Sequence, residues 1–531
     1  MNLSYLFKTP FTYRPQFPVF IRSVISVVFF GSDHYALPHL HALEEHQSQY
    51  KDIQILFVVT TSEKTPVACH CIQSKIDHVI WPRTLPNNSV IINAISQRIN
   101  KLQNNNSTLD KSEKLLGIIV SFGRFLPSSI LSLFNYGCFN IHPSLLPRWK
   151  GSSPLLYTLL TGDKVTGITL FRLNPNHTTF DSGSVLYQKS LRLPCSKDTM
   201  WLTPEQLATY LIPHSINAMF QVILHPNLPY LIGVDQSVIS EKFQIPVSYA
   251  RKPQPAMGLI NWAKQSAQDI IRSWYAFQGS CVNLFTELCL LNTNIEGRKN
   301  DTPLVANFRI SECPLLVPQI NQISCNNSDE NDPSADGVYY LNYDSKIMNY
   351  LNEASVLLSQ AYPSSLPPGS IVYLRSQIDV KHHLMPFIFI ACRALNNPQS
   401  SSLVSQNSNC LSWIAVTSFL VNWPNSLANV SRHLTAIDLY NGYFVKYFHQ
   451  LTPSSSSIPA SFGEKRNFRQ LGIRCFGEFQ SYSSSLSVAD SNTVIKPWNE
   501  LTPVILPSDL LSSSSSPSSE GSILVQNVNN R

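Results

Sequence analysis

The sequence predicts an α/β protein, with a doubly wound, mostly parallel, Rossmann-like sheet in its first half and a smaller β-rich domain after it. Two observations predict this fold. Short apolar, β-branched runs alternate with polar or helix-like stretches over residues 24–120, as in parallel sheets whose strands are joined by helices. From about residue 247 isolated strand-like pieces replace this alternation.

Four runs near the start are the predicted strands of the sheet. Residues 24–30 are mostly β-branched or aromatic and end at a Gly-Ser-Asp turn, after which leucines recur at near-helical spacing. This pattern predicts a strand, a turn and a helix in that order. The other predicted strands are residues 53–60, 78–82 and 116–120.

The turns that follow the strands are where a ligand site is expected, because ligands bind beyond the carboxyl ends of parallel strands. These turns are residues 31–33, 122–127 and 142–151. The first turn lacks the GxGxxG spacing of a dinucleotide site, so the sequence does not predict NAD or FAD.

Composition divides the chain into predicted domains. A sheet domain spans residues 24–235, and a second domain spans residues 245–450 with a polar loop insertion at about residues 292–365. Serine runs in residues 451–531 predict a disordered tail. Residues 1–23 contain basic but no acidic side chains, which is typical of an organelle transit segment. We therefore expect a protein of the mitochondrial matrix.

The net charge and the cysteine content exclude few classes of function. The 39 Lys and Arg against 33 Asp and Glu give a net charge of +6, which is compatible with a polyanionic partner but does not require one. The sequence Cys69-His70-Cys71 lacks a usual zinc spacing and has no second ligand pair, so we predict no metal site. No apolar run approaches the roughly 18 to 20 residues of a membrane span, so we expect no membrane partner.

Polar side chains collect at the end of another predicted strand. If residues 139–142 form a strand, Asn140 and His142 project to the same face, because side chains alternate along a strand. Asp181 lies further along the chain, just before a Ser-Gly turn that would aim its carboxylate sideways. An amide, an imidazole and a carboxylate are thus expected to converge at one edge of the sheet.

These three residue types supply what acyl transfer to an amine requires. His142 can act as the general base, since an imidazole titrates close to neutral pH. The amide of Asn140 can donate to the developing oxyanion, and Asp181 can orient the imidazole and stabilise its protonated form. By spacing alone, a structural or surface histidine beside a proline remains the alternative.

A resemblance strengthens this interpretation. The pattern formed by Asn140, His142, the residues at 144–147 and Gly151, followed by Asp181-x-Gly183, closely resembles the signature of folate-dependent formyltransferases. Residues 28–33 and 122–127 also resemble that family, and the likeness covers about residues 24–235.

The family resemblance implies the site. Asn140, His142 and Asp181 would be the catalytic residues, and 10-formyltetrahydrofolate would donate the formyl group without a covalent enzyme intermediate. The residues expected to contact the folate are Phe122, Gly123, Arg124, Phe125, Leu126, Pro127, Ser144, Leu145, Leu146 and Pro147.

The acceptor is also implied by resemblance. Residues 248–253, 258–262, 368–371 and 434–443 resemble the OB-like β-barrel domain of family members that act on methionyl-tRNA. This resemblance implies a monomer that formylates initiator methionyl-tRNA. The residues expected to contact the RNA are Arg148, Lys150, Arg251 and Lys252.

Relatives with the same catalytic residues keep other functions open. The alternatives are hydrolysis of formyltetrahydrofolate, formylation of another small amine, and a non-catalytic homologue that binds folate or RNA.

Overall fold

The computed structural model describes residues 24–81, 92–99, 114–176, 179–194, 201–290, 304–318, 343–361, 368–374, 376, 385–393, 412–422, 432–439, 441, 500, 502 and 504–506. The chain forms two compact units. The first comprises Met1–Leu193, Glu205–Lys252 and Ile495–Arg531, and the second Pro194–Pro204 and Pro253–Val494. The predicted transit segment lies outside the described residues.

The first unit contains a seven-stranded sheet in the order β3-β2-β1-β4-β5-β6-β7. The strands β1 to β5 are parallel, and β6 and β7 are antiparallel to their neighbours. This sheet confirms the predicted mostly parallel, Rossmann-like fold. The strands are β1 (Ile25–Gly31), β2 (Ile53–Thr60), β3 (His78–Ile80), β4 (Lys114–Val120), β5 (Cys138–His142), β6 (Val165–Arg172) and β7 (Ser184–Arg192).

Helices connect the strands of this unit. They are α1 (Leu37–Tyr50), α2 (Pro66–Ser74), α3 (residues 92–99), α4 (Ser128–Leu131), α5 (Pro154–Thr161), α6 (Pro204–Ile223) and α7 (Gln236–Phe243), with a 3-10 turn at Leu228–Tyr230. Every residue of β1 is buried, as expected of a strand covered on both faces. Part of the core is an aromatic cluster in which Phe30 and Trp81 both contact Phe122 edge to face.

Two predicted boundaries of this unit differ from the structure. The unit continues to Lys252 rather than ending near residue 235. The predicted disordered tail is wrong where the structure describes it, because Ile505 is buried and pairs with Gln188 of the edge strand β7 through two backbone hydrogen bonds of 2.9 and 3.1 Å. Serine runs on either side of this short segment dominate the local composition, so its few apolar residues did not predict an ordered contact. Residues 451–499 lie outside the described part of the chain.

The second unit contains two antiparallel four-stranded sheets, β10-β13-β12-β11 and β15-β14-β9-β8. The single residue Thr417 separates β13 of one sheet from β14 of the other. The strands are β8 (Phe285–Leu290), β9 (Leu304–Ile310), β10 (Leu315–Leu316), β11 (Ile371–Val372), β12 (Ile388–Cys392), β13 (Ser412–Val416), β14 (Ser418–Asn422) and β15 (Arg432–Thr435). The helices are α8 (Ala267–Ala276), α9 (Ser345–Ala361) and α10 (Ala436–Leu439), with a 3-10 turn at Pro255–Gly258.

The predicted loop insertion is wrong for its described parts. The strand β9 pairs with both β8 and β14, so it is a central strand of its sheet. The helix α9 buries Leu351, Ala354 and Leu358 in an apolar cluster, and their spacing follows one face of a helix. Long polar runs on either side masked these short periodic segments in the sequence.

Among the described residues, no helix combines the length and hydropathy needed to span a membrane.

Candidate active site

The three predicted catalytic side chains meet at the carboxyl end of β5. Asn140 and His142 lie two positions apart in this strand, and Asp181 lies in the turn before β7. The Asn140 amide Nδ2 is 3.5 Å from Asp181 Oδ1, and His142 Nδ1 is 3.8 Å from Asp181 Oδ2. His142 is buried, so its interaction with the carboxylate is weakly screened by solvent.

The imidazole of His142 is oriented by a backbone carbonyl. Its Nε2 lies 2.9 Å from the carbonyl oxygen of Trp149, and because a carbonyl can only accept, Nε2 carries the proton. In the neutral ring the lone pair is therefore on Nδ1, which faces Asp181. The 3.8 Å separation between His142 Nδ1 and Asp181 Oδ2 exceeds a direct hydrogen bond, so the hydrogen-bonded partner of the ring is the Trp149 carbonyl, and an orienting role for Asp181 stays a prediction.

Asp181 is held in an unusual conformation. Its φ of 51° lies in the left-handed region, which few residues other than glycine adopt and which is common at functional sites. The backbone N–H of Gly151 donates to Asp181 Oδ2 at 2.7 Å. Gln236, the first residue of α7, donates from Nε2 to the carbonyl oxygens of Asp181 and Gly183 at 2.9 and 3.0 Å.

Gly183 is required by close backbone packing. A Cβ at this position would lie 2.0 Å from the carbonyl oxygen of Arg172 and 2.5 Å from the ring of Phe171. Only glycine allows the turn to lie this close to β6, and this contact explains the Asp-x-Gly pattern.

The expected RNA contact of Arg148 is wrong. Arg148 is only 1% exposed, and its guanidinium donates to both carboxylate oxygens of Asp163 at 2.9 and 2.6 Å. The indole Nε1 of Trp149 donates to the same carboxylate at 2.8 Å. The buried ion pair therefore stabilises the loop that carries the Trp149 carbonyl. The guanidinium of Arg148 is not accessible to RNA.

Residues 144–147 are buried, and their expected contact with folate stays a prediction. Ser144, Leu145 and Leu146 are at most 1% exposed, and Pro147 is buried as well. The Ser144 hydroxyl donates to the carbonyl of Arg148 at 2.7 Å. The Leu146 carbonyl accepts from Gln188 Nε2 at 2.8 Å. These residues form part of the loop that follows β5. The sequence Ser-Leu-Leu-Pro alone does not reveal that they make these internal contacts.

The loop after β4 divides into buried and accessible residues. The side chains of Phe122 and Leu126 belong to the apolar core. Phe125 is 44% exposed, and its ring lies 5.5 Å from that of Phe180, which is 63% exposed. The exposed Gly123 has a φ of 69°, and the half-buried Arg124 and Pro127 complete the loop. Contact of this loop with folate stays a prediction.

The remaining basic candidates lie on the surface of the first unit. Burial lowers the pKa of Lys150, and the nearby carboxylates of Asp181 and Asp235 oppose this shift. Lys150 therefore lies close enough to Asp181, one of the three candidate catalytic residues, to interact with its charge. Arg251 and Lys252 are exposed, and their contact with RNA also stays a prediction.

Several residues that shape the site were not predicted. Trp149 acts through its backbone carbonyl, which gives no side-chain signal in a sequence. Asp163 and Gln236 are distant in sequence from the residues they hold, and Gln236 lies just beyond the predicted domain boundary. The pairing of each with its target appears only in three dimensions.

Known proteins resemble the part of the chain that carries these residues. Residues 25–207 match the family described as formyl transferase. A mitochondrial methionyl-tRNA formyltransferase from Rattus norvegicus is 29% identical over 252 residues, covering 46% of this chain and 56% of that protein. The corresponding Homo sapiens protein is 29% identical over 273 residues, covering 50% of this chain and 60% of that protein. A methionyl-tRNA formyltransferase from Ehrlichia ruminantium (strain Welgevonden) is 45% identical over 214 residues, covering 39% of this chain and 65% of that protein.

The extent of these likenesses is limited. The chain spans little more than half the length of the mammalian relatives that it matches. A solved phosphoribosylglycinamide formyltransferase from Bacillus halodurans is 19% identical, covers 38% of this chain and 93% of that chain, and has a TM-score of 0.30, too low to carry an argument. Residues 25–207 therefore resemble the formyl transferase family, in a chain similar to methionyl-tRNA formyltransferases.

Proposed function

We propose that the protein transfers the formyl group of 10-formyltetrahydrofolate to the amino group of initiator methionyl-tRNA. The observation that carries this proposal is the convergence of the Asn140 amide and the His142 imidazole on the two oxygens of the Asp181 carboxylate, at 3.5 and 3.8 Å. The formyl transferase domain supports the folate donor, and the names of the relatives support the tRNA acceptor.

The chemistry follows from the tautomer of His142. The amine nitrogen of the acceptor attacks the formyl carbon, and the proton that it loses passes to Nδ1 of His142. Negative charge grows on the formyl oxygen, where the Asn140 amide donates a hydrogen bond. When the bond from the formyl carbon to the folate nitrogen breaks, the proton on His142 passes to that nitrogen. No serine or cysteine nucleophile takes part.

Asp181 acts in this scheme through its charge. As Nδ1 of His142 takes up a proton, the imidazolium cation faces the carboxylate at 3.8 Å. In a buried site such a pair stabilises the protonated ring more strongly than it would in water. The Trp149 carbonyl meanwhile keeps the ring in place through Nε2.

The ligands are assigned to surfaces by exposure and charge. Phe180, which directly precedes Asp181 in the chain, and Phe125 present exposed rings 5.5 Å apart, which suit the aromatic part of a folate. Lys150, Arg251 and Lys252 are the basic residues proposed to contact the acceptor RNA, since phosphates attract Lys and Arg without regard to sequence.

We also propose that the second unit is an OB-like barrel that binds RNA. Its two antiparallel sheets, joined at Thr417, support this proposal, because a strand that continues from one sheet into another is how a barrel closes. The mitochondrial origin of the mammalian relatives supports a location in the mitochondrial matrix. We also propose that the chain acts as a monomer.

The proposal is tested by transfer of radiolabel from 10-formyltetrahydrofolate to methionyl-tRNA. His142→Ala and Asp181→Ala are each expected to lower the rate at least about a hundredfold. Asp77→Ala, at an exposed carboxylate paired with Arg98, is the matched control and should retain the wild-type rate. Full activity in both catalytic variants would refute the mechanism.

The same assay separates the alternatives. Initiator and elongator methionyl-tRNA are compared side by side, and the proposal requires a preference for the initiator. Release of formate without tRNA would instead identify a hydrolase. Tight folate binding with no product under any condition would identify a non-catalytic homologue.

A further inference from the structure

Two histidines and a glutamate form a cluster on the outer surface of the first unit. His41 and Glu44 lie on α1, and His70 lies on α2. One ligand atom from each lies within 4.8 Å of the others. This cluster lies on different elements from the catalytic side chains, and the proposed reaction does not use it.

The spacing of the two imidazoles is that of metal ligands. His41 Nε2 and His70 Nδ1 are 3.3 Å apart. Two nitrogens bound at about 2.0–2.1 Å to one tetrahedral zinc ion are separated by about 3.3 Å. A metal ion could therefore bridge these atoms with little movement of either helix, and would replace the contact between the two rings.

Glu44 prepares His70 for this role. The Nε2 of His70 lies 2.7 Å from Glu44 Oε2. Because a carboxylate accepts hydrogen bonds, this nitrogen carries the proton and donates it in a hydrogen bond to Glu44. The lone pair of the neutral ring is then on Nδ1, the atom that faces His41. Metal-bound histidines usually donate their other N–H to a carboxylate in this way, and the partner increases the basicity of the ligand.

The protonation of His41 is consistent with metal binding. Partial burial lowers the pKa of His41, and the neighbouring His70 lowers it further, while Glu44 opposes the shift. The direction of this shift favours the neutral imidazole, which is the form that binds metal.

The geometry points to a divalent transition-metal site, of the type that binds Zn²⁺, in which His41 Nε2 and His70 Nδ1 are ligands and Glu44 either orients His70 or supplies a carboxylate oxygen. Water would complete the tetrahedral coordination. The neighbouring thiol of Cys69 points elsewhere, since its Sγ lies 3.8 Å from the carbonyl of Glu63. The site therefore differs from the Cys-His-Cys sequence pattern that surrounds His70.

The test is titration of the full, untagged, chelator-treated chain with Zn²⁺ in competition with a chromophoric chelator. One ion per chain is expected to bind. His41→Ala and His70→Ala should each weaken binding at least about tenfold, and Glu44→Ala about tenfold to a hundredfold. The neighbouring Glu45→Ala, at an exposed carboxylate on the same helix, is the matched control for charge.

Cysteine variants distinguish this site from a thiolate site. Cys69→Ser and Cys71→Ala should leave the affinity for Zn²⁺ unchanged, and loss of binding in either would overturn the proposed ligand set. The proposal would also be overturned if the wild-type chain bound no stoichiometric Zn²⁺. Wild-type affinity for Zn²⁺ in both histidine variants would overturn it as well. Circular dichroism of the metal-free variants checks that each one is folded, and none of these results depends on formyl transfer.

Discussion

Gly151 donates its backbone N–H to Oδ2 of Asp181 at 2.7 Å. The same oxygen is the one that faces His142 Nδ1, so a glycine in the loop after β5 fixes the carboxylate of the turn before β7. Gly151 has a φ of 118°, and a Cβ on it would lie 2.6 Å from the carbonyl oxygen of Ala250. The loop therefore depends on a position that admits no side chain.

Gly151→Ala is expected to lower the rate of formyl transfer at least about tenfold, because a displacement of about 1 Å at a catalytic group has large effects. The variant must move the loop away from Ala250, and the Asp181 carboxylate loses its backbone donor. Steady-state kinetics measure the loss. Gly279→Ala is the control, since it has a similar left-handed φ of 75° but no atom within 4 Å of the added Cβ, and it should keep its activity. Wild-type kinetics in Gly151→Ala would contradict the role of this contact.

Gln236→Ala is expected to reduce kcat about tenfold with little change in the KM for tRNA. The variant removes the amide that holds the carbonyls of Asp181 and Gly183, so the turn that presents the carboxylate loses its support. The exposed Gln49, which donates only to Glu45 Oε1 on the same helix, gives a matched control in Gln49→Ala. If KM rose while kcat stayed constant, Gln236 would act in binding rather than in positioning the turn.

Arg148→Ala is expected to destabilise the fold by about 3 to 5 kcal/mol, since it leaves the buried carboxylate of Asp163 without its cation. Urea denaturation measures the free energy of unfolding. Arg98→Ala removes the exposed ion pair with Asp77 and should cost at most about 1 kcal/mol. Equal and small losses in both variants would show that the interior pair adds nothing to stability.

His39 is expected to make stability sensitive to acid. Burial lowers the pKa of His39 from 6.5 to about 4; its ring lies between the carbonyl of Tyr35 and the hydroxyl of Ser215. The unfolded chain therefore binds the proton at higher pH than the folded chain, and stability falls as the pH drops from about 6.5 towards 4, by at most roughly 3 kcal/mol. Urea denaturation across this range should show a smaller pH dependence for His39→Gln than for the wild type. His34→Ala, at an exposed histidine, should keep the wild-type slope, and an unchanged slope in His39→Gln would contradict the assignment.

Ile505→Ala is expected to lower the free energy of unfolding by about 2 kcal/mol, the low end of the range for a buried isoleucine, because Ile505 is 8% exposed where it pairs with the edge strand β7. Thermal denaturation measures the change. The adjacent Val504 is 41% exposed, so Val504→Ala should have an effect close to zero. Equal effects at both positions would show that this segment does not pack in a specific orientation.

The sequence predicted the regular parts of the fold because their signals are local. The strands β1, β2 and β4 are mostly apolar runs, whereas β5 carries Asn140 and His142 on one face, and each of the four was expected within two residues of where it lies. The strand β9 was missed because its pairing partners, β8 and β14, lie on the far side of polar segments. A pattern within one window of sequence carries no information about such pairings.

In the candidate site, too, local sequence signals predicted some features and contacts between distant residues were missed. Strand alternation placed Asn140 and His142 on one face, and the structure brings Asp181 to them. Charge and position misled the interpretation of Arg148, since a basic residue beside a site suggests an anionic ligand until its partner Asp163 is seen. The carbonyl of Trp149 could not be predicted at all, because every residue has one.

The attachment of Thr502 to Ser190 affects how the protein forms during synthesis. These residues are 312 positions apart and exchange hydrogen bonds at the edge of the sheet. A ribosome that adds 5–20 residues each second needs roughly 15 to 60 seconds to make the intervening chain. During that interval β7 lacks this partner, and an unpaired strand edge can pair with the edge of another chain.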